Sequence, residues 1–345
     1  MKRGLKRMRK VTVREIAAAT GMSIATVSRA LNDHDTVAPH TRDLVHQTAE
    51  RLGSQRTDRA PRPAGDRVYL RCPYVLTDYF GLIVSSIAET VELHGRQLVL
   101  TAGEAAQRTP LLRDLDRHDG IGGIIVILPP EPGADLIELQ RRRIPFVVVD
   151  PRTTLPPDIV SVSAAHFSGA RKVTAHLVGL GHRRIGVIGG PTEWLASDAR
   201  LAGHNAALAD VGVLPAAELL RTIEPTTEQG RRAAGALLDL PQPPTALVAF
   251  NDKAAVGAMQ AAAERGLRVP HDLSVTGFDD IDLAEATNLT TVRQPLPEMG
   301  RMAVSLLVRL LERHQLDALH VELATHLVVR SSTAPPGALS PPPRA

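Results

Sequence analysis

The sequence predicts two unlike units: a small all-α head and a larger α/β body whose parallel sheets fall into two lobes. Three observations predict this. Apolar residues between Val11 and Gly53 recur at helical spacing around a glycine break. Residues 54–66 (SQRTDRAPRPAGD) then replace that pattern with a polar, Pro- and Arg-rich stretch. From Arg67 onward, short apolar runs alternate with helical stretches, and about a dozen strands exceed what one open sheet comfortably holds.

Residues 1–10 carry six basic side chains and no apolar face, and are read as a disordered arm; a start of translation at Met8 is the alternative. Residues 11–53 form the head. Val13, Ile16 and Ala17 share one helical face, which Thr20-Gly21-Met22-Ser23 ends. Ile24, Val27, Ala30 and Leu31 make a second face. Pro39 can open a third helix because the missing N–H would have no partner there, and Leu44, Val45, Thr48 and Leu52 follow at helical spacing. Ala17, Gly21 and Val27 supply the small residue, the turn and the apolar contact that two sharply crossing helices need, which is a helix-turn-helix. Ser23 can cap the second helix, whose exposed face then carries Ile24, Ala25, Ser28 and Arg29.

The body, residues 67–333, has strand-like runs at 68–70, 97–100, 123–128, 145–149, 185–189, 246–250 and 273–277. Helical stretches at 79–93, 167–178, 200–210 and 254–265 lie between them, and Gly95, Gly179, Gly212 and Gly266 suit left-handed caps. Residues 334–345 are Pro-rich and read as a disordered tail.

Composition excludes several classes. Cys72 is the one cysteine, so neither an intrachain disulfide nor a cysteine metal cluster can form. The chain contains no apolar run long enough to span a membrane and no secretory signal, so it is expected in the cytoplasm. His166, His176 and His182 match no common zinc spacing, Gly186–Pro191 lacks the dinucleotide fingerprint, and no Ser-His-Asp or paired-carboxylate arrangement stands out. No metal, no cofactor and no enzymatic activity are expected. Residues 1–65 hold 13 Lys and Arg against 6 Asp and Glu, whereas the rest holds 27 against 31. A basic head on an acidic body suggests that the head meets a polyanion.

Val11–Asn32 (VTVREIAAATGMSIATVSRALN) resembles the opening of the lactose/galactose repressor (LacI/GalR) family, most closely over Thr26–Asn32. The resemblance continues through Leu177–Pro191, Ala199–Leu208, Ala249–Asp280, Leu289–Pro295 and His326–Ser332, in the family's order. It implies a homodimer in which each chain supplies one DNA-binding head and a two-lobed regulatory body similar to periplasmic sugar-binding proteins. It also implies that the chain passes between the lobes near Ser161–Ala165, Thr291–Gln294 and Leu323–His326. By family position, Ile24, Ala25 and Arg29 face bases, while Thr12, Ser23, Ser28, Asn32 and Thr41 lie near phosphates.

The linker departs from the family. It has no tyrosine, and Pro63 stands where a wedging leucine is expected. Pro61 and Pro63 disfavour a hinge helix, which leaves Arg56, Arg59 and Arg62 to enter the minor groove electrostatically.

In the cleft, the resemblance makes Arg200 a bidentate clamp, gives Asn251 and Asp279 hydroxyl pairs to bind, and makes Tyr79 and Phe80 wall residues. Asp150 sits at the carboxyl end of a strand, where open α/β sheets bind ligands. The aromatic that relatives place before Gly230 is missing, and Trp194 is the ring available to stack instead. The expected function is a sequence-specific transcriptional regulator, a repressor of carbohydrate uptake or catabolism genes. A sugar or related small molecule between the lobes would control its binding to double-stranded operator DNA. A sugar-binding transport protein and a sugar-modifying enzyme are the rival readings; the first should carry a signal peptide and no helix-turn-helix.

Overall fold

The computed structural model describes residues 13–31, 37–51, 65–131 and 133–337. The expectations for residues 1–10, Thr12, Asn32, Arg56, Arg59, Pro61, Pro63 and residues 338–345 lie outside the described residues.

The head, described by itself, consists of α1 (Val13–Thr20), α2 (Ile24–Leu31) and α3 (Pro39–Arg51). Gly21 takes a φ of +69° between the first two helices, a left-handed conformation open to glycine at little cost. Ile16, Ala17, Val27, Ala30, Val37 and Val45 close a small core, whereas Leu44 and Ile24, which helical spacing placed on the apolar faces, are exposed.

The body has two lobes. The first contains β1 (Arg67–Cys72), α4 (Asp78–Leu93), β2 (Gln97–Ala102), α5 (Gly103–Arg108), α6 (Leu111–Leu115), β3 (Ile121–Ile127), α7 (Gly133–Arg141), β4 (Phe146–Val149) and β5 (Ser161–Ala164). The second contains α8 (His166–Gly179), β6 (Ile185–Gly189), α9 (Leu195–Ala209), β7 (Leu220–Thr222), α10 (Thr227–Leu238), β8 (Ala246–Ala249), α11 (Asp252–Glu264), β9 (Ser274–Thr276), α12 (Asp282–Ala286) and β10 (Thr291–Arg293). The chain then returns to the first lobe for α13 (Leu296–Leu311) and β11 (His320–Leu323), and crosses again to β12 (His326–Val328). The three crossings fall where they were expected.

The first lobe's sheet runs β11-β5-β4-β3-β1-β2 and the second's β7-β6-β8-β9, with every pair parallel; β10 and β12 pair antiparallel. Each parallel sheet is covered on both faces, so its strands are apolar runs rather than alternating ones. β1 shows how one strand feeds two layers. Val68, Leu70 and Cys72 join the layer under α4 and α13, while Tyr69 joins the opposite layer with Leu111, Leu136 and Leu139.

Arg71 points the same way as Tyr69 and is buried with two carboxylates. Its guanidinium lies 2.7 Å from Glu131 and 3.7 Å from Asp114, and it donates to the carbonyls of Ala106 and Thr109. This fastens the α5–α6 connection and the loop after β3 to the sheet.

Two expectations change. α8 runs through Gly179, and the left-handed position after it is Gly181 (φ +105°), because Leu180 continues in helical geometry as its cap. Residues 334–337, assigned by composition to a disordered tail, belong to the described body. His182 Nε2 bonds the Ala334 carbonyl at 2.9 Å, and the Ala334 N–H donates to Ser274 Oγ at 3.0 Å. Proline content does not report such side-chain anchors. No helix among the described residues is long and apolar enough to cross a membrane.

Candidate functional sites: the helix-turn-helix and the interlobe cleft

In the head, Ser23 Oγ accepts the N–H of Thr26 at 3.0 Å, and the Val27 N–H reaches the Ser23 carbonyl at 3.0 Å. The second helix therefore starts at a capped, fixed end. Val27 and Ala30 turn into the core, which leaves Ile24 (52% exposed) and Arg29 outward. Ala25 and Ser28 lie on the same short helix. Thr41, in the first turn of α3, is half-buried, and its hydroxyl lies 3.2 Å from His40 Nε2. Ile24 in the first turn of α2 and Arg29 in its last turn can offer a methyl contact and a guanine or phosphate contact in a major groove.

In the body, cleft residues from both lobes join in one chain of hydrogen bonds. The Tyr79 hydroxyl, from the first turn of α4, donates to Asp150 Oδ2 at 2.9 Å. Asp150 Oδ1 lies 2.8 Å from His166 Nε2, and His166 Nδ1 lies 3.3 Å from an Arg200 terminal nitrogen. The other terminal nitrogen of Arg200 donates to the Phe250 carbonyl at 2.5 Å. The guanidinium is sandwiched between rings, 4.4 Å from the Phe250 centroid and 3.8 Å from that of Phe278. These stacks fix the plane of Arg200, whereas its Nε is buried without a partner.

Asp279 is buried at the end of the strand-like segment after β9, with Oδ1 accepting from Gln294 Nε2 at 2.7 Å. Asp150 and Asp279 both sit on positive-φ backbone, +51° and +122°. Such conformations cost roughly 1–3 kcal/mol each and persist where the surroundings over-determine them, as at binding sites.

The two carboxyls are driven apart electrostatically. Burial works against Asp150's charge, but the His166 ring, Arg200 and the Tyr79 hydroxyl outweigh it and hold the carboxyl below the usual range. Burial pushes Asp279 well above that range, with Arg200 opposing and Asp252 adding repulsion. Burial also lowers the Arg200 guanidinium, against the pull of Asp279, Tyr79 and Asp150. The cleft thus places a carboxyl whose charge is favoured, a second whose charge burial disfavours, and a guanidinium side by side. That set suits a ligand carrying several hydroxyls.

Asn251 is already engaged: Oδ1 caps α11 by accepting the Ala254 N–H at 2.9 Å, and Nδ2 reaches the Pro225 carbonyl at 3.4 Å. Phe80 stacks on Tyr74 with centroids 4.5 Å apart. Trp194 stands between the lobes, its ring edge-on to Tyr74 at 6.5 Å and to Phe250 at 6.1 Å, with a buried, unpartnered Nε1. Arg152 lies 5.6 Å from the Trp194 ring and pairs with Glu193 at 2.8 Å, while Lys253 approaches Asp78 at 3.7 Å. These two ion pairs also join the lobes.

The structure thus brings Tyr79, Asp150, Arg200 and Asp279 together with Trp194 beside them, whereas the side chain expected to bind hydroxyls at Asn251 caps α11 instead. Sequence reasoning left out His166 as the connecting group, the two phenylalanines around Arg200, and Gln294. His166 carries a signal in hindsight: it is the first residue after a crossing, so it faces both lobes. Among the described residues, no group of three or more His, Cys, Asp or Glu could hold a metal ion.

Comparison with known proteins adds the following. Residues 12–55 match the family described as bacterial regulatory proteins, lacI family, and residues 174–333 match the periplasmic binding protein-like domain. The chain is 32% identical to the HTH-type transcriptional repressor CytR of Escherichia coli (strain K12), over 93% of this chain and 96% of that protein. It is 35% identical to the HTH-type transcriptional regulator MalR of Streptomyces coelicolor, over 93% and 96% of the two chains. Among solved structures, the transcriptional regulator CelR–cellobiose complex superposes with a TM-score of 0.72 at 28% identity, covering 94% of this chain and 100% of that one. The lac repressor dimer bound to operator and the anti-inducer ONPF gives 0.69 at 27% identity, with the same coverage.

Proposed function

This chain belongs to the lacI family of bacterial regulatory proteins, and on that premise we propose that it is a repressor of carbohydrate uptake or catabolism genes whose effector is a sugar. It acts as a DNA-binding transcriptional regulator. Two copies bind a palindromic operator through their heads, with half-sites about one helical turn apart. The effector lies between the lobes, against Arg200, Asp150 and Asp279, with Trp194 as the ring against which it stacks. The protein has no catalytic role and works in the cytoplasm without a cofactor.

The observation that carries this reading is the Tyr79–Asp150–His166–Arg200 chain, which spans both lobes and so gives a polar ligand partners on each side. A cellobiose-bound structural neighbour supports a sugar as the class. A thermal-shift screen of the full chain against mono- and disaccharides tests the effector. Footprinting on genomic fragments tests the operator. If no sugar raises the unfolding temperature, the effector class is wrong; if footprinting finds no sequence preference, the regulator reading is wrong.

A further inference from the structure

α9 packs chiefly on α8, where a side chain at Gly203 would run into the Phe167 carbonyl at 2.2 Å. Its other face lies over β6 and β7 and is underfilled. Two cavities lie end to end beneath it, about 80 Å³ near the cleft and about 230 Å³ below. They share Val187, Leu201, His204 and Leu220 as a common waist. The larger exceeds the ~150 Å³ at which an apolar cavity takes up benzene.

The two ends differ in chemistry. The upper end is walled by Arg200, Ser197 and Phe250, and both Arg200 Nε and Ser197 Oγ are buried there without a hydrogen-bond partner. Orphaned buried donors are uncommon and call for a partner. Below them the walls are Ala170, Val173 and Val248, and the lower cavity ends at Leu214 and Pro215, on the outer edge of the lobe. His204 bonds Thr174 Oγ1 at 3.1 Å, and burial pulls its pKa down to about 4, so the waist is uncharged at neutral pH.

We propose that the space beneath α9 is a channel for an apolar arm, alkyl or aryl, of the effector, whose polar head meets Arg200 Nε and Ser197 Oγ. The proposal rests on the cleft reading above and narrows the ligand class from a bare sugar to an amphipathic one. An inserted alkyl or aryl arm would take the apolar lining, and itself, out of water.

The test uses primary n-alkanols from ethanol to octanol, titrated calorimetrically into the full chain. Each offers one hydroxyl head and one apolar arm, and none depends on which sugar binds. Affinity is expected to rise about fourfold per added methylene until the channel is filled. Leu201→Trp, which plugs the waist, should end the rise at a shorter chain. Should that variant not fold, Val187→Ile with Val248→Ile narrows the same space more gently and should shorten the rise likewise. A flat series, or an identical rise in the plugged protein, overturns the proposal. If sugars bind while the series stays flat, only the apolar arm falls; if the series rises as expected while no sugar binds, only the sugar reading falls.

Discussion

Asp150 and His166 meet at 2.8 Å across the first crossing of the chain, one at the end of β4 and the other at the start of α8. Each has a second partner on its own side, Tyr79 for the carboxylate and Arg200 for the ring. The contact is therefore the middle link between the lobes. A ligand that replaced any link would shift the balance between two arrangements of the lobes only through its differential affinity for the two.

That balance gives the first prediction. Arg200→Ala and Asp279→Ala should keep operator affinity but lose the response to effector, because neither residue belongs to the head. A hundredfold response corresponds to a coupling of about 2.7 kcal/mol, within reach of two charge-assisted hydrogen bonds at roughly 1.5–3 kcal/mol each. Operator affinity with and without effector is the measurement. Two variants that respond like the parent would remove the cleft from the switch.

Arg29→Ala should weaken binding to the cognate operator by about 1–3 kcal/mol. A bidentate contact to guanine would also relax specificity at one base pair, whereas a phosphate contact would lower affinity evenly across sequences. Gel shifts against a panel of single-base operator variants separate the two, and unchanged binding to the cognate site would take Arg29 out of the interface.

Asp252 yields a prediction about pH. It is buried at the start of α11, where Oδ1 accepts from Thr291 Oγ1 at 2.5 Å and Oδ2 accepts the Ile281 N–H at 3.0 Å. Burial dominates these bonds and raises its pKa to about 7. The fold favours the protonated form, so this contribution to stability is whole below the unfolded value of about 3.9 and is lost as pH rises through 7. His204, lowered to about 4, acts oppositely: its contribution is whole above about 6.5 and is lost as pH falls through 4. The difference between parent and Asp252→Asn isolates the first effect. The variant should gain on the parent between pH 4 and 7, by up to about 1.4 kcal/mol per pH unit. Denaturant midpoints that move in parallel over this range would sink the assignment.

Arg71→Met should destabilise the first lobe by roughly 3–5 kcal/mol, because Glu131 and Asp114 stay buried without their cation. The double variant Arg71→Met with Glu131→Leu should recover much of that loss, since an apolar pair no longer strands a charge. Urea unfolding of both proteins is the check, and equal midpoints for Arg71→Met and the parent would contradict it.

Much of this was legible in the chain. The helix-turn-helix could be read because three short-range demands, at Ala17, Gly21 and Val27, fall within one stretch, and Ser23 caps α2 as its residue type suggests. Parallel strands could be read because burial on both faces makes them unbroken apolar runs such as Ile124–Ile127. The cleft was legible only in part. Arg200, Asp150 and Asp279 are charged residues at strand or helix ends, whereas the partners that orient them are far away in sequence. His166 lies 34 residues from Arg200, and the rings that flank the guanidinium come from 250 and 278. Asn251 shows the opposite limit. An amide at that position satisfies a helix N-terminus as well as it would a ligand, and residue type alone does not choose between them.

The return of the chain to the first lobe leaves that lobe incomplete until late in synthesis. Leu296, Met299, Ala303 and Leu307 of α13 belong to the same core layer as Val68 and Leu70 of β1, and β11 supplies an edge strand against β5. During synthesis the ribosome makes residues 67–164 first, yet that lobe lacks a helix and a strand until residue 323 has emerged. At roughly 5–20 residues per second the delay is on the order of 10–30 s. The second lobe reaches β10 only at residue 293 and still waits for β12, so both lobes are completed only as the last part of the chain is made. For that interval the sheet face of the nascent first lobe is covered by α4 alone, and the apolar surface that α13 will bury stays open to solvent and to other chains.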